Sequence, residues 1–310
     1  MPKIKQRILQ LTGVAGTLAC LTIFIFNPSP LTPDKLLVLL FFVFLIFHQA
    51  TKLLIRLGPF VLLILVYESF RGVADTLNGN VVYTLAPRID NFIFNGLPTT
   101  YLQDLLWSGQ VRWYDFVFYA PYLLFFIVPI GLAILVWQTR EKDYWRVVLT
   151  FLLVFFAAFL TFLLLPTAPP WLAAYNNYIE PIVWISVDVW SSLGITDFPS
   201  FYNEISPNLV AAVPSLHAAV ATLFSIFIFK FYGKFLGAVS LIYPIILYVG
   251  VVYLGEHYAF DILVGVLYAV GGYFLAPLLL KKLTIFFHSL QSSRQPLVRS
   301  LVRKLSKLSA

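Results

Sequence analysis

The chain has 310 residues, 60% of them hydrophobic and only 11% charged, a balance outside that of soluble globular domains. Its formal net charge is +7, but the basic residues sit in short clusters between apolar runs, which excludes a basic nucleic-acid-binding module and points to membrane topology. The single cysteine, Cys20, lies in the first apolar run, which excludes an internal disulfide and a thiolate metal site.

Lys3, Lys5 and Arg7 precede an apolar stretch as in a signal peptide, and Thr17-Leu18-Ala19-Cys20 has a faintly lipoprotein-like look. The run continues through Phe26 with no small-residue cleavage pattern, so an uncleaved first span is expected. Further apolar runs follow, and each run of about 20 residues is long enough to cross a hydrocarbon core of roughly 30 Å. Spans are predicted at 8–26, 36–51, 58–75, 115–137, 144–165, 216–232, 235–254 and 258–280. The expected fold is all-α, a polytopic transmembrane bundle of about eight helices.

Lys and Arg near span ends set orientation. With the N-terminus cytoplasmic, 17 of the 21 cations fall inside, and only Lys35, Arg71, Arg88 and Arg112 fall outside. Two outside segments are long, 76–114 and 166–216, and both are rich in Trp, Tyr, Pro and Asn, a composition suited to the headgroup layer. Function is expected on that side. At the C-terminus, Leu297, Leu301, Leu305 and Leu308 form one helical stripe and Arg299, Arg303 and Lys307 another. This suits a helix lying on an anionic inner leaflet, or equally a basic tail that enforces topology.

Two of the four histidines, His48 and His288, lie at predicted cytoplasmic span ends and need no special role. The other two lie at the same non-cytoplasmic level. His217 stands in Val213-Pro214-Ser215-Leu216-His217-Ala218-Ala219, and His257 in Gly255-Glu256-His257-Tyr258-Ala259-Phe260-Asp261. Asp261 follows His257 by four residues, so on one helical face the carboxylate meets the imidazole and sets its tautomer. Ser215 opens a helix whose free N–H groups favour phosphate, its hydroxyl serving as donor or as an ordinary cap.

In these motifs the sequence resembles the type 2 phosphatidic acid phosphatase superfamily, which carries P-S-G-H before one helix and H-x-x-x-D at a later one. Here P-S-L-H and H-Y-A-F-D stand in those places. Leu216, the tyrosine after His257 and the upstream Leu165-Pro166-Thr167-Ala168-Pro169-Pro170-Trp171 look most like its inositol phosphorylceramide synthase branch, which is close to the sphingomyelin synthases. The resemblance spans roughly residues 67–277. It implies N-terminal transmembrane helices over 1–57, a catalytic bundle with a six-helix core over 58–283, and a basic cytoplasmic tail over 284–310. It also implies a metal-independent, cofactor-free reaction in which His257 attacks phosphorus, Asp261 orients it and His217 protonates the departing lipid alkoxide.

Two departures shape the expectation. No K-x-x-x-x-x-x-R-P precedes the Pro-rich loop, and Val251 stands where the superfamily has an arginine. Arg71 is the expected replacement, on a stripe with Glu68 and Asp75; the alternative is that these three only hold one another in a salt-bridge network. Trp171 is expected to shape a headgroup lid or join an interfacial aromatic belt, and Asn176 and Asn177 to bind a polyol acceptor. The expected activity is a lipid phosphotransferase of the inositol phosphotransferase kind, taking a membrane lipid phosphate donor and a hydroxyl acceptor. The alternatives are a phosphatase using water, acting on phosphatidic acid or a polyprenyl pyrophosphate, and a lipid transporter. Paired histidines at one membrane face rather than the midplane disfavour the transporter. A bacterial plasma membrane is the expected location.

Overall fold

The computed structural model describes residues 3–26, 32–194 and 208–308. They form α1 (Lys3–Phe26), α2 (Pro33–Ile46), α3 (Ala50–Leu77), α4 (Leu85–Phe94), α5 (Pro98–Leu106), α6 (Trp113–Leu123) and α7 (Ile127–Thr139). Then come α8 (Tyr144–Leu164), α9 (Pro170–Tyr175), α10 (Ile185–Ser192), α11 (Leu216–Tyr232), α12 (Lys234–Ser240), α13 (Ile242–Tyr253) and α14 (Ala259–Leu308). No strand occurs among the described residues, and the chain is an all-α polytopic bundle.

Helix α8 is the core element, burying Val147, Phe151, Phe155, Ala158 and Phe162 at helical spacing. Helix α3 lies beside it in parallel. Tyr144 donates its hydroxyl hydrogen bond to the Arg56 carbonyl at 2.6 Å, and further along Tyr67 stacks on Phe155 and Phe70 on Phe159. In lipid, burying one apolar ring against another gains little over lipid contact, so close packing holds the helices together. Helix α11 shows the means: it buries Ala218, Ala219 and Ala221, and Gly265 of α14 lies against its first residues.

Five described helical segments are long and apolar enough to cross a membrane, or six if the bent pair α6 and α7 is one span. The expected eight therefore include shorter pieces. Helix α2 has 14 residues and α11 has 17, or about 21 and 26 Å at 1.5 Å per residue. The predicted span 115–137 is broken, its halves meeting at 56°. Pro121 and Pro129 flank the break, and a proline removes a helical hydrogen bond and crowds the carbonyl four residues before it. Helix α14 runs on to Leu308, well past the predicted 280. The side chains of 297–308, on which the amphipathic stripe falls, and that of Asp75 lie outside the described residues.

Three connections meet at Thr167. Its N–H donates to the Val210 carbonyl and its carbonyl accepts from Ala212, while Val82 donates to the Pro166 carbonyl and accepts from Ala168. The segments leaving α3 and α8 and entering α11 are thereby fixed side by side.

Candidate active site

Ser215 caps α11, its hydroxyl accepting the Ala218 N–H at 3.3 Å. That satisfies one of the free donors at a helix start. The hydroxyl is buried in this role, and Ser215 is not on the wall of the cavity described below. Its own N–H donates to the Asp261 carbonyl at 3.0 Å, tying the two histidine motifs together through backbone. His217 follows in the first turn. Its ring stacks on Tyr122 with centroids 4.2 Å apart and packs against Phe125 at 4.7 Å, residues that the α6–α7 break brings to this level.

His257 lies beyond a tight turn. Gly255 has φ 81°, a left-handed conformation that an L side chain resists, and a Cβ there would press the Val183 carbonyl. The turn lets the N–H groups of Glu256 and His257 both donate to the Val251 carbonyl at 3.0 Å. His257 Nδ1 then sits 3.3 Å from Asp261 Oδ2, which also accepts the Tyr258 N–H at 2.9 Å. His257 Nε2 faces His217 Nδ1 at 3.4 Å. With Nδ1–H directed at the carboxylate, the Nε2 lone pair points toward His217 and the cavity.

Asp90 of α4 completes this frame. Its two carboxylate oxygens accept the Ala259 and Phe260 N–H groups, each at 2.9 Å, and so cap α14 from a distant part of the chain. Burial pushes the Asp90 carboxyl above its ordinary range, with the two backbone N–H bonds acting against that shift.

The cavity in front of the histidines measures about 50 Å³ and is lined by His217, His257, Arg71, Tyr67, Tyr122 and Asn208 among others. Arg71, expected from its place on α3, reaches this wall while paired with Glu68 Oε2 at 2.6 Å from Nη2 and 3.2 Å from Nε. Glu256 also lines the cavity, its Oε1 accepting hydrogen bonds from Trp184 Nε1 at 2.9 Å and Ser186 at 2.6 Å. Val251 is buried in the bundle away from the cavity. Among the described residues no three His, Cys, Asp or Glu side chains converge as a metal site.

Trp171 lies on a neighbouring cavity of about 520 Å³, its indole stacked on Trp184 at 3.8 Å with planes 2° apart. The Trp171 backbone N–H donates to the Gly255 carbonyl at 3.1 Å, so the Pro-Pro-Trp turn leans on the His257 loop. Leu209 walls both cavities. Asn176 and Asn177 are exposed in the turn closing α9 and wall neither cavity, and Asn176 Nδ2 donates to the Leu172 carbonyl.

Tyr67, Tyr122, Asn208, Glu256 and Asp90 were not expected from sequence. Two of them carried a signal, since Tyr67 precedes Arg71 by four residues and Glu256 adjoins His257. The others join the site only through tertiary contacts.

No curated protein and no solved structure matches the chain. A family model, that of the PAP2 superfamily, matches residues 99–275, a segment that carries His217, His257 and Asp261. Superfamily members are generally phosphatases or phosphotransferases, so the match marks this integral membrane protein as an enzyme of that broad type. Through that match over more than half its length, the chain belongs to the PAP2 superfamily.

Proposed function

We propose that the protein is a membrane lipid phosphotransferase working through a phosphohistidine on His257. One observation carries the reading: His257 is held by Asp261 through Nδ1 and turns Nε2 toward His217, beside a cavity that also receives Arg71. In the first step the Nε2 lone pair forms the N–P bond, the P–O bond to the lipid breaks, and His217 gives its proton to the departing alkoxide. In the second step an acceptor hydroxyl loses its proton to His217, its oxygen bonds phosphorus, and the N–P bond breaks. The imidazoles touch at 3.4 Å, too close to admit phosphorus between them. The substrate therefore enters from the cavity side and opens that contact, and Arg71 offsets the phosphoryl charge there. Ser215 acts here through its cap, which keeps His217 at the start of α11.

Transfer to an organic hydroxyl, as in the inositol phosphorylceramide synthase branch, is favoured by the aromatic cavity that adjoins the catalytic one through Leu209. Flat indole faces such as Trp171 and Trp184 suit the C–H faces of a polyol. Asn176 and Asn177, exposed at its edge, would meet the acceptor only on its way in. In this reading 58–283 is the catalytic unit. The cation count supports cytoplasmic termini, an active site on the other face, and the basic tail on the anionic inner leaflet of a bacterial plasma membrane.

The test is to incubate purified protein with labelled phosphatidylinositol or phosphatidic acid, with and without inositol or ceramide acceptors, in chelator. Transfer of label to an acceptor, lost in His257→Ala, is expected. Release of inorganic phosphate alone would assign hydrolysis instead, and loss of all activity in chelator would reject the metal-free route.

A further inference from the structure

Tyr67 stands on α3 four residues before Arg71, so the two share a helical face, and both line the catalytic cavity. Its ring is fixed and only 1% exposed, stacked on Phe155 at 5.3 Å and edge-on to Phe156 at 6.1 Å. Its hydroxyl is buried and, among the described residues, meets no hydrogen-bond partner.

Packing does not explain that hydroxyl. The surrounding core is built of phenylalanines, Phe151, Phe155 and Phe162, and a phenylalanine at 67 would stack equally well without burying an unsatisfied polar group. Buried hydroxyls in native proteins are nearly always satisfied, so one on a cavity wall calls for a partner that arrives with a ligand. The ligand's character follows from its surroundings. The Arg71 guanidinium lies within electrostatic range of the Tyr67 hydroxyl, so this wall offers a positive charge together with a neutral O–H donor. The cavity holds about 50 Å³, room for about three to five water-sized groups, which suits a tetrahedral phosphoryl group and not a whole headgroup.

We propose that the Tyr67 hydroxyl donates a hydrogen bond to a non-bridging oxygen of the lipid phosphoryl group, beside Arg71, and is a catalytic residue of the transfer. The inference rests on the phosphoryl-transfer reading above and adds a second contact to its phosphate grip. Tyr67 loses no proton. The N–P bond forms at His257, the ester P–O bond breaks, the alkoxide takes its proton from His217, and the phenol stays neutral while it holds the oxygen on which charge grows. A neutral donor placed there before reaction needs no reorganisation when the charge develops.

Tyr67→Phe removes the hydroxyl and keeps the ring stack. Full-length wild type and variant are compared for turnover of labelled lipid phosphate, for inhibition by orthovanadate as a phosphoryl mimic, and for thermal melting in the same detergent. The expected result is a fall in kcat of about 10²-fold, the scale of losing one preorganised donor, with vanadate inhibition weakened in step and a melting temperature at or above wild type. Wild-type turnover and vanadate sensitivity in the variant would overturn the proposal. So would a lowered melting temperature that accounts for the lost activity, which assigns the hydroxyl to the fold, or a loss confined to the KM of the acceptor. If wild type turns over no lipid phosphate, or His257→Ala keeps full activity, the phosphoryl-transfer reading itself fails and takes this inference with it.

Discussion

Gly265→Ala tests how the two histidine motifs are held in register. A Cβ at this position would lie 2.2 Å from the Ser215 carbonyl oxygen and 3.2 Å from the Ala218 Cβ, where ordinary contact begins at 3.4 Å. The obstacle is the backbone of the residue that caps α11, so no side-chain rotation relieves it. Helices α11 and α14 must separate by about 1 Å at the ends that carry His217 and Asp261. Two contacts cross that gap, the 3.0 Å bond from the Ser215 N–H to the Asp261 carbonyl and the 3.4 Å approach of the imidazoles. Both would leave hydrogen-bond range. A misplacement of about 1 Å in a reacting constellation costs about 10²-fold in rate, and overpacking of this kind costs about 1–3 kcal/mol in stability. Gly272→Ala on the same helix is the control. Its Cβ would press the buried Val154 Cγ2 at 2.4 Å, with Thr150 only at ordinary contact distance, so the clash is with a side chain far from the histidines and not with backbone. Turnover of labelled lipid phosphate and detergent melting, measured side by side, should show Gly265→Ala losing far more activity than its melting shift explains and Gly272→Ala losing only stability. Wild-type turnover in Gly265→Ala, or activity loss in the two variants strictly proportional to their melting shifts, would refute the reasoning.

Asp90→Ala leaves the part-buried Ala259 and Phe260 N–H groups without their acceptor and should cost at most about 2–6 kcal/mol, the sum of two unsatisfied donors, read by chemical or thermal unfolding. The Asp90 carboxyl is held above its ordinary value of 3.8, so the folded state binds that proton more tightly. Its contribution is full below the ordinary value and is lost as pH rises through the raised one, and Asp90→Ala should remove that slope from the stability profile. Arg71→Gln should lower turnover by about 10²-fold or more if the guanidinium meets the phosphoryl group, while melting changes little; a collapse in melting with activity retained per folded molecule would assign Arg71 to its ion pair with Glu68. With Cys20 replaced by serine, Ser108→Cys should react with a membrane-impermeant thiol reagent in intact cells and Lys142→Cys only after permeabilisation, and the reverse pattern would invert the proposed topology.

The reading from sequence succeeds where one helix carries its own evidence. Helix α8 carries a single charge, Arg146, in an otherwise long apolar run, and the four-residue spacing of His257 and Asp261 survives although α14 begins at Ala259, because the side chains need only face one another across the first turn. It falters where the chain bends. Residues 115–137 read as one apolar run, but Pro121 and Pro129 flank a break in it, and that break sets Tyr122 and Phe125 against His217. Asp90 was out of reach for a different reason: its partner Ala259 is 169 residues away, and no local pattern marks a carboxylate that caps someone else's helix. Asn176 and Asn177 also take part in the turn that closes α9, Asn176 through its side chain and Asn177 through its positive φ, a backbone duty that a polar pair beside a motif does not reveal. Tyr67 was hidden by its ring, which counts as one more apolar residue in a membrane span.

The family match begins at residue 99, whereas Tyr67, Arg71 and Asp90 all precede it. The cavity wall is thus assembled from two stretches of chain: the matched stretch supplies His217 and His257, the unmatched one supplies Tyr67 and Arg71, and Asp90, also unmatched, caps the helix behind them. Directed-evolution libraries confined to 99–275 would vary the surroundings of His257 while leaving Tyr67 and Arg71 untouched. Exchanging α3 between superfamily members would instead change the side chains set against the phosphoryl oxygens, while the larger Trp171–Trp184 cavity stays with the matched stretch.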